Sequence, residues 1–146
     1  MIVIGVDLAT KTGLARIEDG RLTAHGKVKI TTANVAADVA SIAAFCAGAD
    51  LVAVEDVFAA VNIRTSIALA TLRGRLLQLL DQAGIRWTLV APSTWRKSTV
   101  RPPPKAKRAA LKQLAIDFVA TTFAIDVGDD VADAICLALH ASTTTR

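Results

Sequence analysis

The sequence predicts an α/β protein built on a five-stranded mixed sheet with helices on both faces. Two observations lead to this class. The first 30 residues contain three consecutive strand-like segments, and from about residue 34 onward short apolar strands alternate with segments of helical periodicity. With 146 residues the chain is long enough to bury a core of its own, so we expect a single domain over 1–146.

The opening strands are expected to form an antiparallel meander. Residues 2–8, IVIGVDL, are an apolar run around Asp7, which is typical of a buried central strand. After the polar turn ATKTG, strand character resumes in GLARIED, and Asp19-Gly20 is a strong hairpin signal. The alternation in RLTAHGKVKI then predicts the returning third strand.

The later elements alternate in type, as expected for a sheet with helical crossovers. They are, in chain order, a helix over 34–47 that Gly48 ends, a strand over 51–56, a helix over 62–82, a strand within 85–91, a helical turn at Pro92, a loop at 101–104, a basic helix over 105–121 and an apolar helix from about Asp130.

The composition argues against several classes of protein. No apolar run approaches the roughly 20 residues needed to cross a bilayer. The segment MIVIGVD has neither the basic region nor the cleavage site of a signal peptide, so we expect a cytoplasmic protein. Cys46 and Cys136 lie in Ala-rich helical patterns without CxxC spacing, which favours buried reduced thiols over a disulfide or a zinc site.

Charged residues are sorted along the chain. The net charge is +4, yet residues 57–116 contain a single acid, Asp81. The basic residues of that segment are Arg64, Arg73, Arg75, Arg86, Arg96, Lys97, Arg101, Lys105, Lys107, Arg108 and Lys112. A basic block of this size indicates a polyanionic partner, most commonly nucleic acid, with a merely solvated face as the alternative.

Acidic side chains end two predicted strands and begin the last helix. Asp7 and Glu55 close two strands that we expect to be neighbours, so their carboxylates should face one another at the carboxyl edge of the sheet. Asp130 and Asp133 are three residues apart on one helical face. Like charges in contact are costly without a cation between them, and oxygen-only ligands favour Mg²⁺ or Mn²⁺ over zinc. Four acids can hold two ions about 4 Å apart, the arrangement used in phosphodiester hydrolysis.

Each acid also has a simpler interpretation. Acidic residues in the first turn of a helix complement its macrodipole, and Asp7 alone is explained as a turn cap. For two further acids the structural interpretation is favoured. Asp56 is expected to point away from Glu55 in the strand, and Asp129 is expected to be a helix N-cap.

Four segments resemble, in order, motifs of the RuvC family of Holliday-junction resolvases, which belong to the ribonuclease H-like superfamily. They are IGVDLATKTGLARI with Asp7, EDVFAAVNIRTSIALATLRG beginning at Glu55, APSTWRKSTV followed by Lys107, and DVADAICLALH with Asp130 and Asp133. Each motif alone would be weak, whereas four in register cover nearly the whole chain. The resemblance implies a ribonuclease H-like fold.

By this resemblance the protein is similar to a homodimeric endonuclease that nicks two opposed strands of a four-way DNA junction with two Mg²⁺ ions per site. The four acids of the motifs would hold the metal, and Lys107 would stabilise charge on the scissile phosphate. Phe58 resembles an aromatic that stacks on unpaired bases, with a core role as the alternative. The expected DNA contacts are Phe58, Asn62, Arg64, Arg73, Arg75, Arg96, Lys97, Arg101, Lys105 and Arg108.

The chain departs from the family pattern in two places. Arg96 stands where the family tends to have Lys, and the stiff stretch 101–104, RPPP, replaces a Gly-rich one, which leaves Lys105 as an alternative to Lys107. The short Ala-rich chain is compatible with a phage or divergent branch. Three rival functions are a kinase-like ATP-phosphate site, a nuclease for other branched DNA or RNA/DNA hybrids, and a catalytically weak DNA-binding module. The first requires a second domain, for which 146 residues leave no room.

Overall fold

The structure, a computed structural model, describes residues 1–56 and 62–145. Its elements are β1 (Ile2–Asp7), β2 (Lys11–Glu18), β3 (Arg21–Lys29), α1 (Val35–Phe45), β4 (Leu51–Glu55), α2 (Ile63–Gln82), β5 (Trp87–Val90), α3 (Pro92–Ser98), α4 (Arg108–Phe123) and α5 (Asp129–Thr144). The strands form a mixed sheet in the order β3-β2-β1-β4-β5, with β1, β2 and β3 antiparallel to their neighbours in the meander. The predicted fold class and opening meander are confirmed.

The central strand β1 sets the position of the acids. It runs antiparallel to β2 and parallel to β4, with Val6 opposite both Leu14 and Val54. Both neighbouring strands and the helices bury it, which explains its nearly continuous apolar sequence. Because β1 and β4 end in register, Asp7 and Glu55 lie at the same carboxyl edge of the sheet, as expected.

Helices cover both faces of the sheet. Successive residues of a strand point to opposite faces. Val3 and Ala53 accordingly pack with residues of α4 and α5, whereas Ile4 and Val54 pack with residues of α1 and α2. The sheet is thus the middle layer between two hydrophobic cores.

Two glycines allow the backbone of α5 to lie directly on the sheet. A Cβ atom on Gly5 would lie 2.1 Å from the carbonyl oxygen of Ala134, and one on Gly13 would lie 1.8 Å from the carbonyl oxygen of Asp130. Any side chain at these positions would force helix and sheet apart. The close approach buries every residue of α5 over 131–138, so the acids in its first turn are held against the sheet edge.

One predicted helix start and one predicted N-cap are wrong. Helix α4 begins at Arg108 rather than near 105, because Lys105 has a left-handed φ of 59° after the proline run. Helix α5 begins at Asp129 with Gly128 as its N-cap, so Asp129 is not the N-cap that the sequence predicts. Its carboxylate pairs with Lys112 of α4.

Other boundaries differ in detail. Helix α1 ends at Phe45, and Gly48 lies beyond that end with a φ of 73°. The helical turn expected at Pro92 extends to the helix α3. Cys46 and Cys136 are free and buried, as expected. Within 1–56 and 62–145, no helix combines the length and apolarity required to span a bilayer.

Candidate active site

The carboxyl edge of the sheet borders a cavity of about 560 Å³, the acidic cavity. Asp7 from β1, Glu55 from β4, and Asp130 and Asp133 from α5 all line it. The strands supply two acids because they end in register, and α5 supplies the other two because its first turn crosses Gly13. Four carboxylates that are distant in sequence therefore share one cavity.

The carboxylates of Asp7 and Glu55 lie close enough to interact electrostatically. Burial, followed by the nearby carboxylates of Glu55 and Asp133, raises the pKa of Asp7 well above its ordinary value. A cation bound at these oxygens would offset the repulsion between the two carboxylates.

The two oxygens of Asp133 have different surroundings. Oδ2 lies 3.4 Å from Nη2 of Arg96, whereas Oδ1 is buried and has no hydrogen-bond partner among the described residues. Burial raises the pKa of Asp133 to about 7, against the lowering effect of Arg96. A buried carboxylate oxygen without a partner is costly, and a bound cation would satisfy it.

We expect the metal-free protein to lose stability as the pH rises towards neutrality. The folded-state pKa of Asp133 is about 7 against an ordinary value of 3.8, so its stabilising contribution is complete below pH 3.8 and is lost as the pH rises through 7. Asp133→Asn, which has no proton to lose, should flatten this part of the profile. The measurement is the melting temperature in chelator across this range. An equally steep profile in Asp133→Asn would contradict the assignment to Asp133.

Basic side chains contact the acids around the cavity. Arg96 Nη2 lies 3.4 Å from Asp133 Oδ2 and 4.0 Å from Glu55 Oε1. Lys27 Nζ of β3 lies 3.1 Å from Asp130 Oδ2. These cations offset part of the repulsion among the carboxylates.

Three residues of this region were not among the predicted site residues. Lys27 stands opposite Gly13 in the pairing of β2 with β3, which puts it beside the start of α5. Lys112 lines the acidic cavity one turn after Arg108. Trp95 is fully buried and donates a 2.9 Å hydrogen bond from Nε1 to Glu55 Oε1. Only the helical spacing of Lys112 from Arg108 is visible in the sequence; the other two depend on tertiary packing.

The chemistry of the acidic cavity fits a hard divalent cation. Its candidate ligands are all carboxylate oxygens, and one of them, Oδ1 of Asp133, has no hydrogen-bond partner among the residues that the structure describes. In the part of the chain that the structure describes, no three His, Cys, Asp or Glu side chains converge as a preformed ligand group. Arg96 and Lys27 contact carboxylates that such a group would contain.

The predicted catalytic lysine is not among the residues that line the acidic cavity. Lys107 is the exposed N-cap residue of α4, and the next residue, Arg108, lines the acidic cavity together with Lys112. Lys105 lines a second cavity of about 640 Å³, the basic cavity, together with Lys97. Arg96 lines both cavities, so the two are adjacent.

The remaining predicted DNA contacts are dispersed. Arg73 pairs with Asp56, and the side chain of Asn62 caps α2 by accepting a hydrogen bond from the backbone N–H of Thr65. Arg64, Arg75 and Arg101 are exposed. Phe58 lies outside the described residues. The structure therefore places Arg96, Lys97, Lys105 and Arg108 around the two cavities and gives Asn62 and Arg73 local partners.

A mixed sheet in this strand order, with acids at the carboxyl ends of its central strands, is the arrangement of the ribonuclease H-like fold. The family model described as "Crossover junction endodeoxyribonuclease RuvC" matches residues 3–141, and the chain belongs to this family. A curated relative is the crossover junction endodeoxyribonuclease RuvC of Sphingopyxis alaskensis, 32% identical over 165 aligned positions that cover 100% of each chain.

Solved structures support the same fold. The RuvC of T. thermophilus in complex with a Holliday junction substrate has a TM-score of 0.76 and 20% identity, covering 100% of this chain and 95% of that one. The Holliday junction resolvase of fowlpox virus has a TM-score of 0.67 and 15% identity, covering 100% of both chains. At these identities the likeness concerns the fold.

Proposed function

We propose that the chain resolves four-way DNA junctions by metal-dependent hydrolysis of phosphodiester bonds, with residues 1–146 acting as one nuclease domain in the bacterial cytoplasm. One observation carries the proposal: Asp7, Glu55, Asp130 and Asp133, from three separate elements, line one cavity beside a basic one. Membership of the RuvC family supports the same activity.

The four carboxylates are the proposed ligands of Mg²⁺, for which Mn²⁺ can substitute, and their number is sufficient for two ions. When bound there, the metal supplies Lewis-acid stabilisation of charge on the reacting phosphate oxygens. Trp95 holds Glu55 by its 2.9 Å hydrogen bond, and the close contact at Gly13 holds Asp130 against the sheet. These contacts fix the positions of the acids before DNA binds.

The basic residues around the cavities have the complementary role of binding DNA. Arg108 and Lys112 line the acidic cavity, and Lys97 and Lys105 line the basic cavity. Cations beside the acids can hold a phosphate that the carboxylates alone would repel. The backbone phosphates of the junction would thus run along α3 and the start of α4.

Arg108 is expected to contribute more to cleavage than Lys107. Arg108→Gln should lower the single-turnover rate by roughly 10- to 100-fold, because it removes a cation that lines the acidic cavity. Lys107→Gln is the matched control, since it removes the same charge from the exposed N-cap. An equal or larger loss in Lys107→Gln would restore Lys107 as the catalytic cation.

Two opposed cuts require two active sites, so we propose a homodimer with one acidic cavity per chain. Helix α2 offers an apolar surface for it, because Ile63 and Ile67 are 76% and 60% exposed and lie one turn apart. Ile67→Asp should lower the sedimentation coefficient towards that of a monomer. Ala36→Asp, at an exposed position of α1, should leave it unchanged. A wild-type monomer at micromolar concentration would contradict the homodimer.

The proposed function is tested with a synthetic four-way junction, a linear duplex and an RNA/DNA hybrid. Each substrate is incubated with the protein in Mg²⁺ and in chelator. We expect paired symmetrical nicks in the junction, in Mg²⁺ only. Preferred cutting of the hybrid would assign a ribonuclease, and junction binding without cutting would assign a DNA-binding module.

A further inference from the structure

Arg96 connects the acidic and basic cavities. Its guanidinium lies 3.4 Å from Asp133 Oδ2 and 4.0 Å from Glu55 Oε1, and its Cζ is 4.7 Å from the centroid of the Trp95 ring. The side chain is 21% exposed. A single cation thus bridges two of the proposed metal ligands while resting on the aromatic ring that holds one of them.

The contacts of Arg96 with the acids are incomplete. Charge-assisted hydrogen bonds between a guanidinium and a carboxylate are usually about 2.7–2.9 Å long and often bidentate. Both contacts of Arg96 are longer, and both Nε of Arg96 and Oδ1 of Asp133 are buried without a hydrogen-bond partner among the described residues. The ion pair therefore offsets charge without satisfying the polar atoms that it buries.

We propose that Arg96 is an exchangeable internal counter-ion, which neutralises Asp133 and Glu55 in the metal-free protein and competes with the divalent cation for their oxygens. The proposal rests on the metal-binding function proposed above. Trp95 stabilises this arrangement from both sides, because its indole N–H binds Glu55 and its ring supports the guanidinium. The metal concentration needed to load the site is then set by a residue that is not a ligand.

Once displaced from the carboxylates, the guanidinium of Arg96 can bind DNA in the basic cavity. Arg96 already lines the basic cavity with Lys97 and Lys105, so release from the carboxylates frees its charge for a DNA phosphate. Metal loading and DNA contact are thereby coupled through one side chain, and coupling of this kind is reciprocal.

Direct titration of DNA-free protein with Mn²⁺, followed by electron paramagnetic resonance, tests the competition. Arg96→Gln should bind Mn²⁺ roughly tenfold more tightly, because it removes a full charge within about 4 Å of two ligands. Arg86→Gln is the control, since it removes the same charge from an exposed residue just before β5, at the opposite end of that strand from the Val90 that pairs with Glu55, and it should match the wild type. Arg96→Lys keeps the charge and should stay near the wild type.

A second measurement needs no variant. The side-chain Nε–H resonance of Arg96 in the wild type should shift on addition of Mg²⁺ and saturate together with metal binding. The counter-ion role would be overturned if Arg96→Gln bound Mn²⁺ no more tightly than the wild type. It would also be overturned if the Arg96 resonance did not shift on addition of Mg²⁺. Neither result would contradict the proposed metal site. Absence of metal binding in the wild type and in every variant would overturn both the counter-ion role and the proposed metal site.

Discussion

Asp7→Asn is expected to abolish junction cleavage while leaving the fold intact. Asp7 lies at the end of the central strand, lines the acidic cavity and contacts Glu55. Loss of one ligand charge should lower the single-turnover rate on the order of 10³-fold or more, because several kcal/mol of transition-state stabilisation are lost. Asn has nearly the same shape, so the packing around the strand end is preserved.

Asp7→Asn should not lower the stability of the protein in chelator. Burial and neighbouring carboxylates raise the pKa of Asp7, which means that its charged form is disfavoured in the fold. A neutral Asn removes that penalty, so the melting temperature in chelator should stay equal or rise, and junction binding should persist.

A suitable control for Asp7→Asn is Asp117→Asn, an exposed carboxylate on α4 that pairs with Gln113. Asp117→Asn changes the net charge by the same amount, and this variant should cleave the junction at the wild-type rate. Cleavage by Asp7→Asn within about tenfold of the wild-type rate would remove Asp7 from the proposed ligand set. Loss of the folded state in chelator would instead show that its role is structural.

Gly13→Ala is expected to have the largest effect on stability. The added Cβ would lie 1.8 Å from the carbonyl oxygen and 2.3 Å from the carbonyl carbon of Asp130, and backbone atoms of a packed helix cannot rotate away. We expect a loss of about 3 kcal/mol or more in the free energy of unfolding, at the upper end of overpacking effects. Because the substitution also displaces the first turn of α5, which carries Asp130, the rate of junction cleavage should fall as well.

The matched control for this prediction is Gly26→Ala on β3. A Cβ at Gly26 would meet no atom of the described residues within 4 Å, so the same chemical change should leave both the unfolding free energy and cleavage near the wild type. Chemical denaturation measures the unfolding free energy, and a single-turnover assay measures the cleavage rate. A Gly13→Ala protein as stable as Gly26→Ala would mean that α5 does not approach the sheet this closely.

The four acids that line the acidic cavity are all among the residues that the sequence predicts, and strand register explains two of them. Asp7 and Glu55 each end an apolar run, and neighbouring parallel strands bring such ends together. The role of Gly5 and Gly13 was not predicted, because an isolated glycine in a strand has several explanations. Their significance becomes clear only when the backbone of Ala134 and Asp130 is seen against them.

The basic side of the site was harder to predict for a physical reason. The proline run before Lys105 gives that residue a left-handed φ, which sets the start of α4 and the helical face of every later residue. A shift of one residue rotates a side chain by about 100° around a helix, enough to exchange Lys107 for Arg108 at the cavity. Trp95 was missed because its indole reaches Glu55 only through tertiary packing.

The chain order of the acids has a consequence for biosynthesis. β1, with Asp7, is translated before α5, which carries Asp130 and Asp133 and follows the other described strands and helices. A nascent polypeptide thus lacks half of the proposed ligands until α5 has been translated and has docked onto the glycines of the sheet. Nuclease activity would then begin only after α5 has docked.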